Sequence, residues 1–311
     1  MPVVTVTLNP AIDQTLSVPG FAAGRVNRVA ASRCDAGGKG VNVASSLADL
    51  GVETIATGFL GAANAGLFET FFSRKGIADR FVRIAGSTRV GIKIVDGDQT
   101  TDVNFPGLTP AGEDVDELFE RIAALAAPGR WFVLAGSVPA GVPDDIYARL
   151  IDSIHGGGGR VVLDTSGRPL REALAASPEV MKPNVEELGE MTGRALDTHG
   201  AVRAAGESLL ERGVRRVVVS MGGDGALFVE GGQALLARPP KVAVRSTVGA
   251  GDAMVGGIVY GLIHDLPLAD LARRATAGGA YAVTRVGSGI EDLGEYERLA
   301  AEVEIETLNE R

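Results

Sequence analysis

Short apolar, β-branched runs alternate with amphipathic helical segments along this chain, and that alternation restricts the fold more than any other feature. Val3-Val4-Thr5-Val6-Thr7-Leu8 reads as a buried strand that stops at Asn9-Pro10. Gly40 to Leu50 has helical apolar spacing and runs into Gly51, a residue suited to the position just past a helix C-terminus. Val52 to Phe59 reads as a strand, and Asn64 to Lys75 as a helix ended by Gly76. Trp131 to Ala135, Arg160 to Asp164 and Arg216 to Ser220 are further apolar runs, each preceded by helix-like sequence. Two longer helical segments follow, Asp252 to His264 and Leu268 to Val286. Apolar strands separated by amphipathic helices belong in a parallel sheet covered on both faces, so the predicted class is α/β.

Two regions break the rhythm. Ile12 to Cys34 and Ser87 to Asn104 carry strand-like patches with no convincing helix between them. The second contains Arg89 to Val95 and Thr100 to Phe105, joined by a hairpin turn at Asp96-Gly97-Asp98. Together they fit one small sheet beside the main one. Pattern alone reads that sheet equally as a cover over an active site or as an edge extension or dimer contact.

At 311 residues the chain can bury a large core. Its net charge of -9 argues against a nucleic-acid partner, although local cations can still bind phosphate. The 43 glycines have no three-residue period. They gather at Gly37-Gly38-Lys39-Gly40, Gly156 to Gly159, Gly222-Gly223-Asp224-Gly225 and Gly249-Ala250-Gly251. Such clusters form loops or let backbone approach a ligand closely. The one cysteine, Cys34, leaves no intramolecular disulfide and is expected to be a small buried residue. No signal segment and no apolar stretch of the ~18 residues a membrane span needs is seen. A cytoplasmic protein with no membrane partner is expected.

The segment Ser246-Thr247-Val248-Gly249-Ala250-Gly251-Asp252 follows a strand-like stretch and opens a helix. Its small residues leave the first helical N–H groups bare, a site for an anion such as a transferring phosphoryl group. Asp252 at that helix start could take a proton from an attacking hydroxyl, or could simply cap the helix. At a helix N-terminus its charged form should be favoured, making it a weak base at rest. In Lys182-Pro183-Asn184-Val185-Glu186-Glu187, the oxygens of Asn184 and Glu187 lie one turn apart and suit a hydrated Mg2+. A capping box explains the same pair. Ser220-Met221-Gly222-Gly223-Asp224-Gly225 could hold a nucleotide against bare backbone, or be a tight turn between strands. Asp13 and Asn42 suit sugar hydroxyls, and Arg25, Arg28, Lys39 and Arg89 suit a substrate phosphate. His155, His199 and His264 have no ligand-like spacing and are read as structural.

Four segments in order carry a resemblance over nearly the whole chain: Leu8-Asn9-Pro10-Ala11-Ile12-Asp13, then Gly37-Gly38-Lys39-Gly40-Val41-Asn42-Val43-Ala44, then Lys182-Pro183-Asn184 with Glu187, then Val248-Gly249-Ala250-Gly251-Asp252. Together they resemble the ribokinase-like (PfkB) carbohydrate kinases. The resemblance implies a single doubly wound α/β domain with helices on both faces and a β-sheet lid, here roughly residues 12–34 and 87–105. It implies MgATP and a sugar phosphate as small-molecule partners; if the lid also pairs between chains, the protein is a homodimer. Asp252 takes the place of the catalytic base, with Gly249, Ala250 and Gly251 lining an anion hole. Asn184 and Glu187 match the motif associated with Mg2+ and the nucleotide phosphates, the metal being held through water. Lys182, Asn184 and the turn of Ser220, Gly222, Gly223, Asp224 and Gly225 fall among the nucleotide contacts. Asp13, Gly38, Lys39, Asn42, Arg89 and Ser137 fall among the substrate contacts. Leu8 to Asp13, Asn104-Phe105-Pro106-Gly107 and Ser246 to Asp252 look most like 1-phosphofructokinases, whose pattern tagatose-6-phosphate kinases and minor 6-phosphofructokinases largely share. The implied activity is phosphorylation of the 6-hydroxyl of fructose 1-phosphate.

Overall fold

The computed structural model describes residues 1–97 and 99–308. Its main sheet runs Glu304–Thr307, Gln233–Arg238, Ala226–Glu230, Arg216–Ser220, Val180–Met181, Arg160–Asp164, Trp131–Ala135, Val3–Thr7, Thr54–Gly61 and Ala78–Asp79, with Val82–Ile84 also paired to Thr54–Gly61. Pairing is parallel from Ala78–Asp79 across to Arg216–Ser220, and antiparallel over the last three strands beyond it. The expected strands at 131–135, 160–164 and 216–220 appear with those bounds.

Alternation along the strands divides the core into two layers. Val4 and Val6 pack with Phe132 and Leu134 against helix residues Leu118, Ile122, Ile146 and Leu150. Val3, Trp131 and Val133 point the other way, toward Val43, Leu47, Val255 and Ile258. Every residue of Val3–Thr7 and Trp131–Ala135 is buried, which is why these strands read as unbroken apolar runs. The helices Ala250–Ile263 and Leu268–Val283 meet through glycine. A side-chain carbon on Gly278 would stand 2.5 Å from the Ala253 carbonyl oxygen. That close approach seats the start of the first helix against the second.

The order in which strands are added reverses at Val3–Thr7, with all three strands parallel: the next strand of this sheet, Thr54–Gly61, lies on one side of it, and Trp131–Ala135 lies on the other. In open α/β sheets the crevice outside the carboxyl ends at such a point is where ligands bind. The small sheet stands beside this crevice, in the order Ala31–Gly37, Ala11–Ser17, Arg89–Asp96, Gln99–Asn104. Both irregular regions therefore do form one sheet. Asp98 of the expected turn lies outside the described residues.

Three expectations need correcting. Cys34 is exposed, because its strand is an edge of the small sheet. The last long helix stops at Val283, three residues short, and the chain turns through Gly287 at φ 110. The 252–264 helix starts earlier, at Ala250, with Gly249 before it at φ 82. Among the described residues no helix is long and apolar enough to cross a membrane.

Candidate active site

The carboxyl ends of Arg160–Asp164, Val180–Met181 and Arg216–Ser220, the helix start at Ala250 and one face of the small sheet enclose a cavity of about 410 Å³. Asp252 lines it and is 6% exposed. It is the third residue of its helix, so Gly249 rather than Asp252 occupies the capping position. The Asp252 Oδ2 instead accepts a 2.7 Å hydrogen bond from Asn42 Nδ2. Burial, then the negative charge of Asp164, push the Asp252 pKa up to about 6, against the hydrogen bond from Asn42 and the charges of Lys39 and Lys182. The expected weak base is thus overturned: desolvation outweighs the helix terminus.

Gly249 in its left-handed conformation turns the chain into the helix with no side-chain cap. The Ala250 N–H makes a long 3.4 Å bond to the Thr247 carbonyl. A side-chain carbon on Gly251 would stand 3.5 Å from Lys182 Nζ, so an ammonium group lies against the first turn. Bare N–H groups, the helix dipole and this cation converge where an anion can sit.

Asp164 was missed by sequence reasoning. It is fully buried at the end of its strand, and its Oδ1 lies 3.1 Å from Lys39 Nζ and 3.3 Å from Lys182 Nζ. The available signal was a carboxylate closing an otherwise apolar run. Burial would raise its pKa, but Lys182 and Lys39 outweigh that and hold it below the ordinary carboxylate range. For Lys39, burial acts to lower the pKa, and Asp164 and Asp252 overcome it to leave a firmly held cation. Lys39 therefore reaches the cavity already paired with Asp164.

On the small sheet, Ala11, Asp13 and Thr15 lie opposite Arg89, Gly91 and Lys93, so these residues share a face. Asp13, Arg89 and Lys93 all line the cavity. Burial raises the Asp13 pKa against the opposing charges of Lys93, with Nζ 3.7 Å away, and Arg89. Arg89 Nη2 donates to the Asn9 carbonyl at 3.4 Å, and its buried Nε has no partner among the described residues. Lys93 was also missed, although its even spacing from Arg89 on one strand placed it on the same face. Gly38 and Asn42 complete this end of the cavity. Ser137 stands outside the lining, its hydroxyl accepting a 3.1 Å bond from Asn9 Nδ2. Arg25 and Arg28 are exposed on the loop before Ala31 and do not line the cavity.

Asn184 and Glu187 form the capping box: the Asn184 side chain accepts from the Glu187 N–H at 2.8 Å, and Glu187 Oε2 accepts from the Asn184 N–H at 2.9 Å. Both nevertheless line the cavity. Among the described residues no cluster of three His, Cys, Asp or Glu could hold a metal ion. The glycine turn joins two antiparallel strands, and Gly222, Gly223 and Gly225 line a second cavity of about 620 Å³ with Val242, Met254, Thr276, Ala280 and Val283. Ser220 and Gly251 border both cavities. Asp224 faces a separate cleft with Asn184 and His199. A mostly apolar cavity opening onto a charged one, with an anion site at the junction, suits transfer of an anionic group between two ligands.

A family model described as pfkB family carbohydrate kinase matches residues 3–293. The chain belongs to this family of carbohydrate kinases and is a phosphotransferase. It is 48% identical over 309 residues to a 1-phosphofructokinase of Rhodobacter capsulatus, covering 98% of each chain. To a 1-phosphofructokinase of Xanthomonas campestris it is 47% identical, covering 92% of this chain and 91% of the relative. The crystal structure of phosphofructokinase-2 from Escherichia coli in complex with substrates and products is similar at a TM-score of 0.91 and 29% identity, covering 97% of this chain and 99% of that one. The fold is the ribokinase-like α/β fold of such phosphofructokinases.

Proposed function

We propose that the protein transfers the γ-phosphoryl group of ATP to the 6-hydroxyl of fructose 1-phosphate, giving fructose 1,6-bisphosphate and ADP. The observation that carries this reading is a buried carboxylate with a raised pKa, Asp252, beside the uncapped start of its own helix. The identity to relatives named 1-phosphofructokinase supports the choice of acceptor.

Asp252 orients the 6-hydroxyl and takes its proton as the oxygen attacks phosphorus in line. The backbone at Gly249, Ala250 and Gly251, the helix dipole and Lys182 stabilise charge on the transferring group. Asp13, Gly38 and Asn42 meet the sugar, and Arg89 meets its phosphate. Lys182, Asn184 and Ser220 lie along the nucleotide phosphates, with the base against Gly222, Gly223 and Gly225. Residues Asn184 and Glu187 fit a water-held Mg2+: one Glu187 oxygen takes the Asn184 N–H and leaves the other for water. Mg2+ would supply charge neutralisation on the phosphates. The small sheet acts as a lid that excludes water, which would otherwise capture the phosphoryl group.

The opposite face of that lid carries Leu16, Ile92, Ile94 and Val103, on facing strands. It suits pairing with a second copy, so sedimentation should report a dimer; a monomer at micromolar concentration would contradict this. The acceptor is tested by a coupled ADP-release assay on fructose 1-phosphate, fructose 6-phosphate, tagatose 6-phosphate and fructose. The highest kcat/KM is expected for fructose 1-phosphate. A preference for either 6-phosphate would keep the kinase and overturn the acceptor.

A further inference from the structure

Asp164 has no part in the transfer step just described, yet its carboxylate stands fully buried at the floor of the cavity. Its Oδ1 holds Lys39 and Lys182 together, and its Oδ2 is buried with no hydrogen-bond partner among the described residues. The two lysines arrive from different elements. Lys39 opens the helix Lys39–Asp49, and Lys182 follows the strand Val180–Met181. Like charges this close repel strongly in a poorly solvated site unless an anion lies between them. Two other carboxylates act on Lys39 through their charge, Asp252 first and then Glu187. A lysine that moved onto Asp252 would occupy the lone pair needed for the acceptor proton and would leave the anion site.

We propose that Asp164 is a positioning residue for phosphoryl transfer, holding Lys39 and Lys182 as a cation pair beneath the anion site and away from Asp252. This rests on the kinase reading above. Placement matters at this scale, since ångström displacements of a stabilising group cost about 10²-fold in rate. The groups acting on Asp252 come from three elements: Asp164 from its strand, Lys39 and Asn42 from their helix, and Lys182 from its strand end. Asp164 adds to the effect of burial in raising the Asp252 pKa, whereas Lys39 lowers it. The two substitutions Asp164→Asn and Lys39→Gln should therefore move that carboxylate in opposite directions.

The test follows the Asp carboxylates by 13C NMR titration of the full-length protein, beside the pH profile of kcat. In Asp164→Asn the Asp252 titration should move to lower pH, with kcat down roughly 10²-fold and the KM for ATP changed far less. In Lys39→Gln it should move to higher pH. An Asp252 titration unmoved in either folded variant would overturn the proposal. So would a raised Mg2+ requirement with unmoved titration, which would make Asp164 a metal-holding group. Should Asp164→Asn not fold, the upward shift in Lys39→Gln decides. Wild-type protein that turns over no phosphosugar would defeat the kinase reading separately, because the titration needs no turnover.

Discussion

Replacing Asp252 by Asn should lower kcat by about 10²- to 10⁴-fold, the usual range for loss of a general base. Asn keeps the shape and can still accept from Asn42 Nδ2, so the fold and the KM for ATP should change little. What is lost is an oxygen able to hold the proton of the attacking hydroxyl. The wild-type pH profile provides a second signature. With its pKa pushed up to about 6 by burial and Asp164, Asp252 is protonated below that pH and cannot accept. Wild-type kcat/KM should therefore rise with pH through about 6, and the residual activity of Asp252→Asn should lack that rise. Near-normal turnover in Asp252→Asn would remove the base from the mechanism.

Gly58→Ala should destabilise the protein by about 3 kcal/mol or more, or leave it insoluble, in the range expected for forced backbone strain. Gly58 has φ 131, and a side-chain carbon there would stand 1.9 Å from the Thr7 carbonyl oxygen. Both obstacles are backbone, since Thr7 is the register partner of Gly58 in the sheet. The displacement would also reach the site. Thr7 Cγ2 stands 2.9 Å from where a Gly38 side-chain carbon would be, and Gly38 precedes the helix that carries Lys39 and Asn42. Gly66→Ala is the control, as it opens a helix with no atom within 4 Å of the added carbon. A urea midpoint for Gly58→Ala equal to that of Gly66→Ala would contradict the packing described.

The main sheet was legible because its strands are buried on both faces, so Trp131–Ala135 and Arg216–Ser220 stand out as apolar runs between helices. The small sheet was legible in existence from its pattern, and its role as a lid only through the family resemblance. Its polar face gains meaning only when Asp13, Arg89 and Lys93 are seen to border the same cavity as Asp252. Lys39 was expected at the substrate, yet its first partner is Asp164, 125 residues away, a contact no local pattern encodes. The helix start predicted a low pKa for Asp252. Burial reversed the sign, and burial depends on the elements that close over the residue. Cys34 failed for a related reason: residue type favours the interior, but an edge strand leaves it outside.

The phosphoryl group passes from ATP to the 6-hydroxyl of a sugar already carrying phosphate at carbon 1. The most direct measurement incubates the protein with MgATP and fructose 1-phosphate labelled with 13C at carbon 6, and follows the product by 13C and 31P NMR. Coupling of the labelled carbon to a new phosphorus, in step with ADP release, is the predicted result. ADP release with no coupling at carbon 6, or no ADP release here while a parallel incubation with fructose 6-phosphate consumes that sugar, would contradict it.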